Sequence, residues 1–109
     1  MRDERERLRD ILEAIDNIES EAAKGKRAFE DDRLIQTWVV HPLQIVGEAA
    51  SKVSPSLKAA HPQVPWAQIV AMRNVLVHEY FGLDLDEVWT VVEADLPRLR
   101  SAIEGVLRV

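Results

Sequence analysis

The helical spacing of the apolar residues is the feature that most constrains the fold. Near the start of the chain, these residues recur at intervals of three and four: Leu8, Ile11, Leu12, Ile15 and Ile18. This spacing places them on one face of an α-helix. The 109 residues include only 4 glycines and 5 prolines, and alternating β-type patterns are rare. We therefore predict an all-α bundle that forms a single domain over residues 1–109.

The same periodicity predicts where the helices lie. The expected spans are about 3–23, about 31–54 with Asp31 or Asp32 as its cap, about 66–78 or 80, and about 84–108 with Asp84 or Asp86 as its cap, plus a short helical turn around 56–60. Gly25 is expected to end the first helix, and Phe29 to fill the following connection. Pro42 should kink the second helix and Pro97 should interrupt the last, because proline lacks a backbone donor.

Composition limits the classes of function. Acidic residues outnumber basic ones, 19 to 14, and the net charge is −5, so bulk electrostatics would not draw this chain to nucleic acid. Nucleic-acid chemistry would require a local positive site. There is no cysteine, which excludes disulfides and thiolate chemistry. His41 and His61 lack partners at metal-ligand spacing, and there is no glycine-rich phosphate loop, so neither a metal nor a cofactor is predicted.

Two further features of the sequence bear on where in the cell the protein is found. No apolar run reaches the roughly 18 residues of a membrane helix. The charged residues that follow Met1 lead into no signal-peptide core. We therefore expect a cytoplasmic protein.

Four polar residues cluster near the end of the otherwise apolar helix that begins at Trp66. Asn74 and His78 lie about 40° apart around an ideal helix, and Arg73 and Tyr80 about 20° apart. Arg73 and His78 are about 140° apart, so they converge only if the last turn loosens. Gly82, which follows the helix, is compatible with such loosening.

Histidine and arginine together suit the cleavage of RNA without a metal. Histidine can take a proton from the 2′-hydroxyl, and arginine can bind the phosphate as it gains charge. A full acid–base cycle needs two proton-transfer groups, and the helix has only His78. A two-fold dimer would supply a second one. Taken singly, each residue also fits a structural role: His78 as a capping residue, Arg73 as a surface ion pair, and Asn74 as a packing hydrogen bond.

Several spaced blocks resemble one known family. They are Leu43–Ala50, Pro62–Trp66, Met72–Gly82, Val88–Trp89 and Asp95–Pro97. In this order they are similar to the HepT-like toxins of the HEPN superfamily, over about residues 4–105. The resemblance implies a homodimeric HEPN bundle of four to five helices with the motif helices at the interface. It also implies that Arg73 and His78 are the catalytic pair of a metal-independent endoribonuclease, with Asn74 in support.

The resemblance also implies a partner and a modification. Tyr80 matches the tyrosine that receives adenylyl groups from an MntA-like nucleotidyltransferase, the antitoxin of a type VII-like module. The expected substrate is RNA, with transfer RNA fitting the acidic chain best. His41–Pro42 departs from the family pattern, which leaves the local helix geometry in doubt. The alternative is a binding module that partners the nucleotidyltransferase without cleaving RNA.

The remaining conspicuous residues are interpreted as structural. Trp38, Trp66 and Trp89 lie in helix-patterned, apolar contexts, and we predict that they pack in the core. Gly47 is expected to permit a close approach between helices. Glu48 is either an ordinary polar residue or an acceptor for a hydrogen bond from the motif helix.

Overall fold

The structure, a computed structural model, describes residues 3–78 and 84–108, without the side chains of residues 74–78. Its elements are α1 (Glu4–Ala22), α2 (Lys26–Asp31), α3 (Arg33–Ser51), α4 (Pro55–Ala60), α5 (Trp66–His78), α6 (Leu85–Thr90), a π-helical turn (Val91–Asp95) and α7 (Leu96–Leu107). No strand occurs across the described ranges, so the all-α prediction is confirmed. Gly82, which was expected to permit loosening at the end of the motif helix, lies outside the described residues.

Side-chain caps set where the helices begin. The Asp32 carboxylate accepts a hydrogen bond from the Leu34 amide at 2.9 Å and starts α3. Asp84 accepts from the amides of Asp86 and Glu87 and starts α6. Each cap satisfies amide donors that have no partner within the helix. Of the alternatives left open by the sequence, Asp32 and Asp84 are therefore the caps.

A short helix replaces the connection expected after α1. Ala23, rather than Gly25, is the C-cap of α1. Gly25 has a φ of 98° and immediately precedes α2. Because glycine adopts positive φ without steric cost, the chain can redirect there and begin a new helix. Phe29 on α2 is fully buried, as predicted, and its ring centroid lies 5.4 Å from that of Trp89.

The core lies around α1, which packs against α3 and α7, and α3 also packs against α5. The apolar face predicted for α1 is confirmed, since Leu8, Ile11, Ile15 and Ile18 are fully buried. The central position of α3 has a consequence for function. It places one face of α3 against α5, the helix that carries the polar cluster.

One of the three tryptophan predictions is wrong. Trp66 and Trp89 are buried, but Trp38 is 53% exposed, and Leu34 and Ile45 on the same face of α3 are exposed too. These positions lie about 120° around the helix from the buried face. The apolar stripe of α3 is wider than the surface covered by α1 and α5, so its edge faces solvent.

The C-terminal helix is divided at a wide turn. Pro97 lies in the first turn of α7, directly after the π-helical turn. A proline ring clashes with the carbonyl four residues earlier, and a wider helical turn relieves that clash. The break predicted from Pro97 is thus present, but it takes the form of a π-turn within a continuous helical path.

The π-turn ends at a buried carboxylate. Asp95 is 8% exposed and borders a cavity of about 200 Å³ together with Gln68, Glu87 and Thr90. Burial raises the pKa of Asp95 above its ordinary value, and the charge of Arg98 opposes that shift only in part. Desolvation disfavours the charged form, so the ionised carboxylate weakens the fold at neutral pH.

Replacing Asp95 with asparagine should therefore stabilise the protein at pH 7, by about 1 kcal/mol. The folded protein holds the Asp95 proton more tightly than the unfolded chain does. The contribution of Asp95 to the free energy of unfolding is therefore most favourable below the pKa of this residue in the unfolded chain. That contribution is lost as the pH rises through the pKa of Asp95 in the folded protein. Urea unfolding of both proteins between pH 3.5 and 8 checks this.

The matched control is Glu93→Gln, an exposed carboxylate in the same turn, which should change stability by less than about 0.5 kcal/mol. The Asp95→Asn advantage should shrink as the pH falls through the raised folded pKa of Asp95, because the wild-type carboxyl then takes up its proton. An advantage that is absent at pH 7, or that grows in acid, would contradict this account of Asp95.

Candidate functional site

The candidate site begins where α3 and α5 come into close contact. A Cβ atom added to Gly47 would lie 2.8 Å from the Cβ of Arg73 and 3.3 Å from the carbonyl oxygen of Ile69. Real Cβ atoms do not approach that closely, so only glycine fits at position 47 in this packing. The predicted close approach at Gly47 is confirmed, and it brings the base of the Arg73 side chain directly against α3.

The next residue of α3 binds the arginine. Arg73 donates a hydrogen bond from Nη1 to Oε2 of Glu48. The other carboxylate oxygen of Glu48 lies 3.3 Å from Nζ of Lys52, one helical turn further along α3. Glu48 therefore bridges two cations, one at each oxygen. Of the two roles left open for Glu48 by the sequence, the structure shows the contact with the motif helix.

The two cations keep Glu48 ionised. The hydrogen bond from Lys52 and then that from Arg73 lower the pKa of the Glu48 carboxyl below its ordinary value. The Arg73 side chain is 32% exposed and that of Glu48 is 50% exposed, so the group lies at the surface and can be reached from solvent. Arg7 extends the basic character, since it donates from Nη1 to the carbonyl of Lys52 at 3.5 Å.

This cluster is a local positive site on an acidic chain. Arg73 and Lys52 together carry two positive charges against the single charge of Glu48. An anion approaching the exposed side of Arg73 would meet a net positive group. The sequence indicated that nucleic-acid chemistry would need such a local site, because the whole chain carries a charge of −5.

Of the other motif residues, the structure describes the backbones of Asn74 and His78 but not Tyr80. Helix α5 remains α-helical through His78, so positions 73 and 78 stay about 140° apart around it. The loosened last turn that would bring them together is not present within α5. Asn74 and His78 lie on α5, but their side chains are not described, and Tyr80 lies outside the described residues.

The described part of the chain contains no cluster of three or more His, Asp or Glu residues suited to a metal ion. Among the helices that the structure describes, none is long and apolar enough to cross a membrane.

Comparison with known protein families identifies the family of this chain. The family model described as "Ribonuclease HepT-like" matches residues 11–106. The chain belongs to the HepT-like ribonuclease family. The match covers α2 to α6 and all of α7 except its last residue, and it includes Gly47, Glu48 and Arg73. Membership of the HEPN superfamily follows, and the helical bundle agrees with it.

Individual relatives agree with the HepT-like assignment. A protein of Thermococcus cleftensis named "Probable ribonuclease HepT" is 37% identical over 106 residues, covering 94% of each chain. A protein of Methanocaldococcus jannaschii named as a candidate RNase is 36% identical, covering 96% of this chain and 97% of that protein. A similarly named protein of Caldanaerobacter subterraneus is 32% identical over 84 residues, covering 74% of this chain and 75% of its own. No solved structure matches this chain.

Proposed function

We propose that this protein is a metal-independent endoribonuclease, the toxin of a toxin–antitoxin module, with Arg73 and His78 as its catalytic pair. The observation that carries the proposal is the placement of Arg73. It lies at a surface-accessible, net positive cluster on the helix that also carries His78. Membership of the HepT-like family and the ribonuclease names of the relatives support the same reaction class.

The reaction proceeds through the 2′-hydroxyl of the RNA. His78 accepts the proton of that hydroxyl, and the oxygen attacks the adjacent phosphorus. The bond from phosphorus to the 5′-oxygen breaks, which leaves a 2′,3′-cyclic phosphate on one product and a 5′-hydroxyl on the other. Arg73 donates hydrogen bonds to the phosphate oxygens as their charge grows. Asn74, next to Arg73 on α5, supports the site.

The complete site is formed by two copies of the chain. Because α5 is regular through His78, its Arg73 and His78 positions diverge around the helix. One copy also supplies a single His78, whereas the leaving 5′-oxygen needs a proton donor as well. In a two-fold dimer with the α5 helices adjacent, the histidine of one copy complements the arginine of the other.

The test uses unmodified protein, total transfer RNA and excess EDTA. Intact mass first establishes that Tyr80 carries no adenylyl group. Cleavage that leaves cyclic-phosphate ends is the expected result. Loss of cleavage in EDTA that returns with added metal would contradict the metal-independent mechanism. A dimer that binds a nucleotidyltransferase yet cleaves no RNA from a total cellular pool would favour the binding-module alternative.

Tyr80 is the proposed site of silencing. A nucleotidyltransferase antitoxin would transfer an adenylyl group from ATP to the Tyr80 hydroxyl and release pyrophosphate. The added phosphate carries negative charge to the end of the helix that holds Arg73, where it would compete with RNA for the cation.

Replacing Tyr80 with phenylalanine should therefore leave RNA cleavage within about threefold of wild type and prevent silencing by the antitoxin. Cleavage is measured before and after incubation with the antitoxin, ATP and magnesium, and intact mass reports the adenylyl group. A Tyr80→Phe protein that is still adenylylated and silenced would place the modification on another residue.

A further inference from the structure

We propose that Glu48 is the positioning residue for Arg73, and that it directs the guanidinium toward the RNA phosphate in the reaction. This inference rests on the proposed function and assigns a role to a residue on a different helix. Glu48 does not itself touch the reacting atoms. It acts through the hydrogen bond that its Oε2 accepts from Nη1 of Arg73.

The geometry restricts Arg73 at both ends of its side chain. At its base, the Cβ of Arg73 lies against Gly47 at the tightest contact between α3 and α5. At its tip, Nη1 is bound by Glu48, the residue that follows Gly47. An arginine loses side-chain conformational freedom when it is held in one arrangement. Because Gly47 and Glu48 already restrict Arg73 in the free protein, much of this freedom is lost before RNA binds. The substrate then meets a guanidinium that is already oriented.

The second contact of Glu48 explains why the carboxylate can hold the arginine. Lys52 binds Oε1 at 3.3 Å, so the carboxylate is fixed from the side opposite Arg73. The same contact keeps Glu48 ionised, and an ionised acceptor forms the stronger hydrogen bond. Lys52 also offsets the charge that Glu48 places beside the site.

Among the residues that the structure describes, none engages the remaining donors of Arg73. The guanidinium has five N–H donors in a planar fork, and the contact with Glu48 uses Nη1. Within residues 3–78 and 84–108, Glu48 is the sole acceptor that the described side chains and backbone offer to Arg73. The free edge can therefore bind two phosphate oxygens while Glu48 holds the opposite side. An arginine fixed in this way needs no reorganisation when charge develops on the phosphate.

An ordinary surface ion pair would have different consequences. Exposed pairs contribute little to stability, and their removal leaves function unchanged. A pair that competes with RNA for Arg73 would increase cleavage when broken. Breaking a positioning pair lowers the rate of the chemical step and leaves substrate affinity almost unchanged. The kinetic consequence of breaking the pair therefore distinguishes the three roles.

The test compares Glu48→Gln with the wild type and with Glu93→Gln, which changes an exposed carboxylate of the π-helical turn in the same way. Glutamine keeps the size of the side chain and one acceptor oxygen but removes the charge. We expect kcat to fall about tenfold or more, with KM changed by less than about threefold. Glu93→Gln leaves Glu48, Lys52 and Arg73 intact, and its kcat should fall by less than about threefold. Thermal unfolding establishes that all three proteins are folded.

A second measurement reports the position of Arg73 without using activity. In the free protein, the contact with Glu48 should slow rotation of the guanidinium and give separate NMR signals for its terminal nitrogens. Arg73→Lys identifies those signals by their loss. In Glu48→Gln they should merge, and in Glu93→Gln they should stay separate.

The outcomes separate this inference from the proposed function. Merged Arg73 signals together with a reduced kcat in Glu48→Gln support the positioning role. Full or increased cleavage by Glu48→Gln overturns it, and so do Arg73 signals that do not change. A wild-type protein that cleaves no RNA refutes the proposed ribonuclease itself, which is a different result from a cleaving wild type whose Glu48→Gln variant is equally active.

Discussion

Replacing His78 with alanine should abolish RNA cleavage, with a loss of about 100-fold to 10,000-fold in kcat. The proposed mechanism has one proton-transfer group in each copy, so alanine removes both the base and the acid of a dimeric site. The measurement is cleavage of transfer RNA in excess EDTA, with cyclic-phosphate ends as the product readout. Thermal unfolding and the dimer mass should match those of the wild type.

His61→Ala is the matched control for this variant. His61 lies in the loop before α5, where its backbone carbonyl accepts from Nε1 of Trp66, a contact that the substitution keeps. Its activity should stay within about twofold of the wild type. Equal cleavage by His78→Ala and the wild type would mean that His78 is not the proton-transfer group, and the mechanism would have to be abandoned.

Gly47→Ala should both destabilise the protein and impair cleavage. The new methyl group would lie 2.8 Å from the Cβ of Arg73 and 3.3 Å from the carbonyl of Ile69. Neither neighbour is the free end of a flexible side chain, so α3 and α5 must move apart. Forced separation of packed elements costs about 1–3 kcal/mol. It also moves Arg73 away from Glu48, so kcat should fall as well.

Gly105→Ala provides a control of the same chemistry in α7. A Cβ atom at Gly105 would meet nothing within 4 Å. Alanine there should stabilise the protein by about 0.5–1 kcal/mol, because it reduces the conformational freedom of the unfolded chain. Urea unfolding measures both variants, and the two effects should have opposite signs. Stabilisation by Gly47→Ala would show that α3 and α5 are not in tight contact at this point.

Much of the fold could be predicted because its determinants are local. Helix period, capping residues and proline positions act within a few residues of the chain, so the spans of α1, α3 and α5 follow from the sequence to within a few residues. The Asp32 and Asp84 caps were among the predicted candidates for the same reason. The break near Pro97 follows from a missing backbone donor, which is also a local property.

The wrong predictions concern which helix faces are covered by neighbouring helices and where the chain changes direction. The helical period of α3 marks Trp38 as apolar but does not show how far around the helix the neighbouring helices extend. The exposure of Trp38 therefore cannot be predicted from the spacing of apolar residues along the helix. The short helix α2 was missed because six residues are too few for a clear period, and because a positive φ at Gly25 depends on where the chain must go next.

The polar residue types of the motif on α5, and their resemblance to the HepT-like family, could be recognised from the sequence. The sequence also drew attention to Gly47 and Glu48 as neighbours of interest. The ion pair between Glu48 and Lys52 was not predicted, although a spacing of one helical turn favours such a pair. The sequence could not show that Glu48 contacts Arg73, which lies 25 positions away along the chain.

The sequence by itself determined the helical class, the short list of candidate N-caps, the single buried face of α1 and the residue types available for phosphate chemistry. These depend on the backbone preferences and spacing of neighbouring residues. The tertiary structure alone decided that α3 and α5 meet at Gly47, that Glu48 therefore holds Arg73, and that Trp38 remains exposed. Contacts between distant segments depend on how several helices share one core, and no segment carries that information alone.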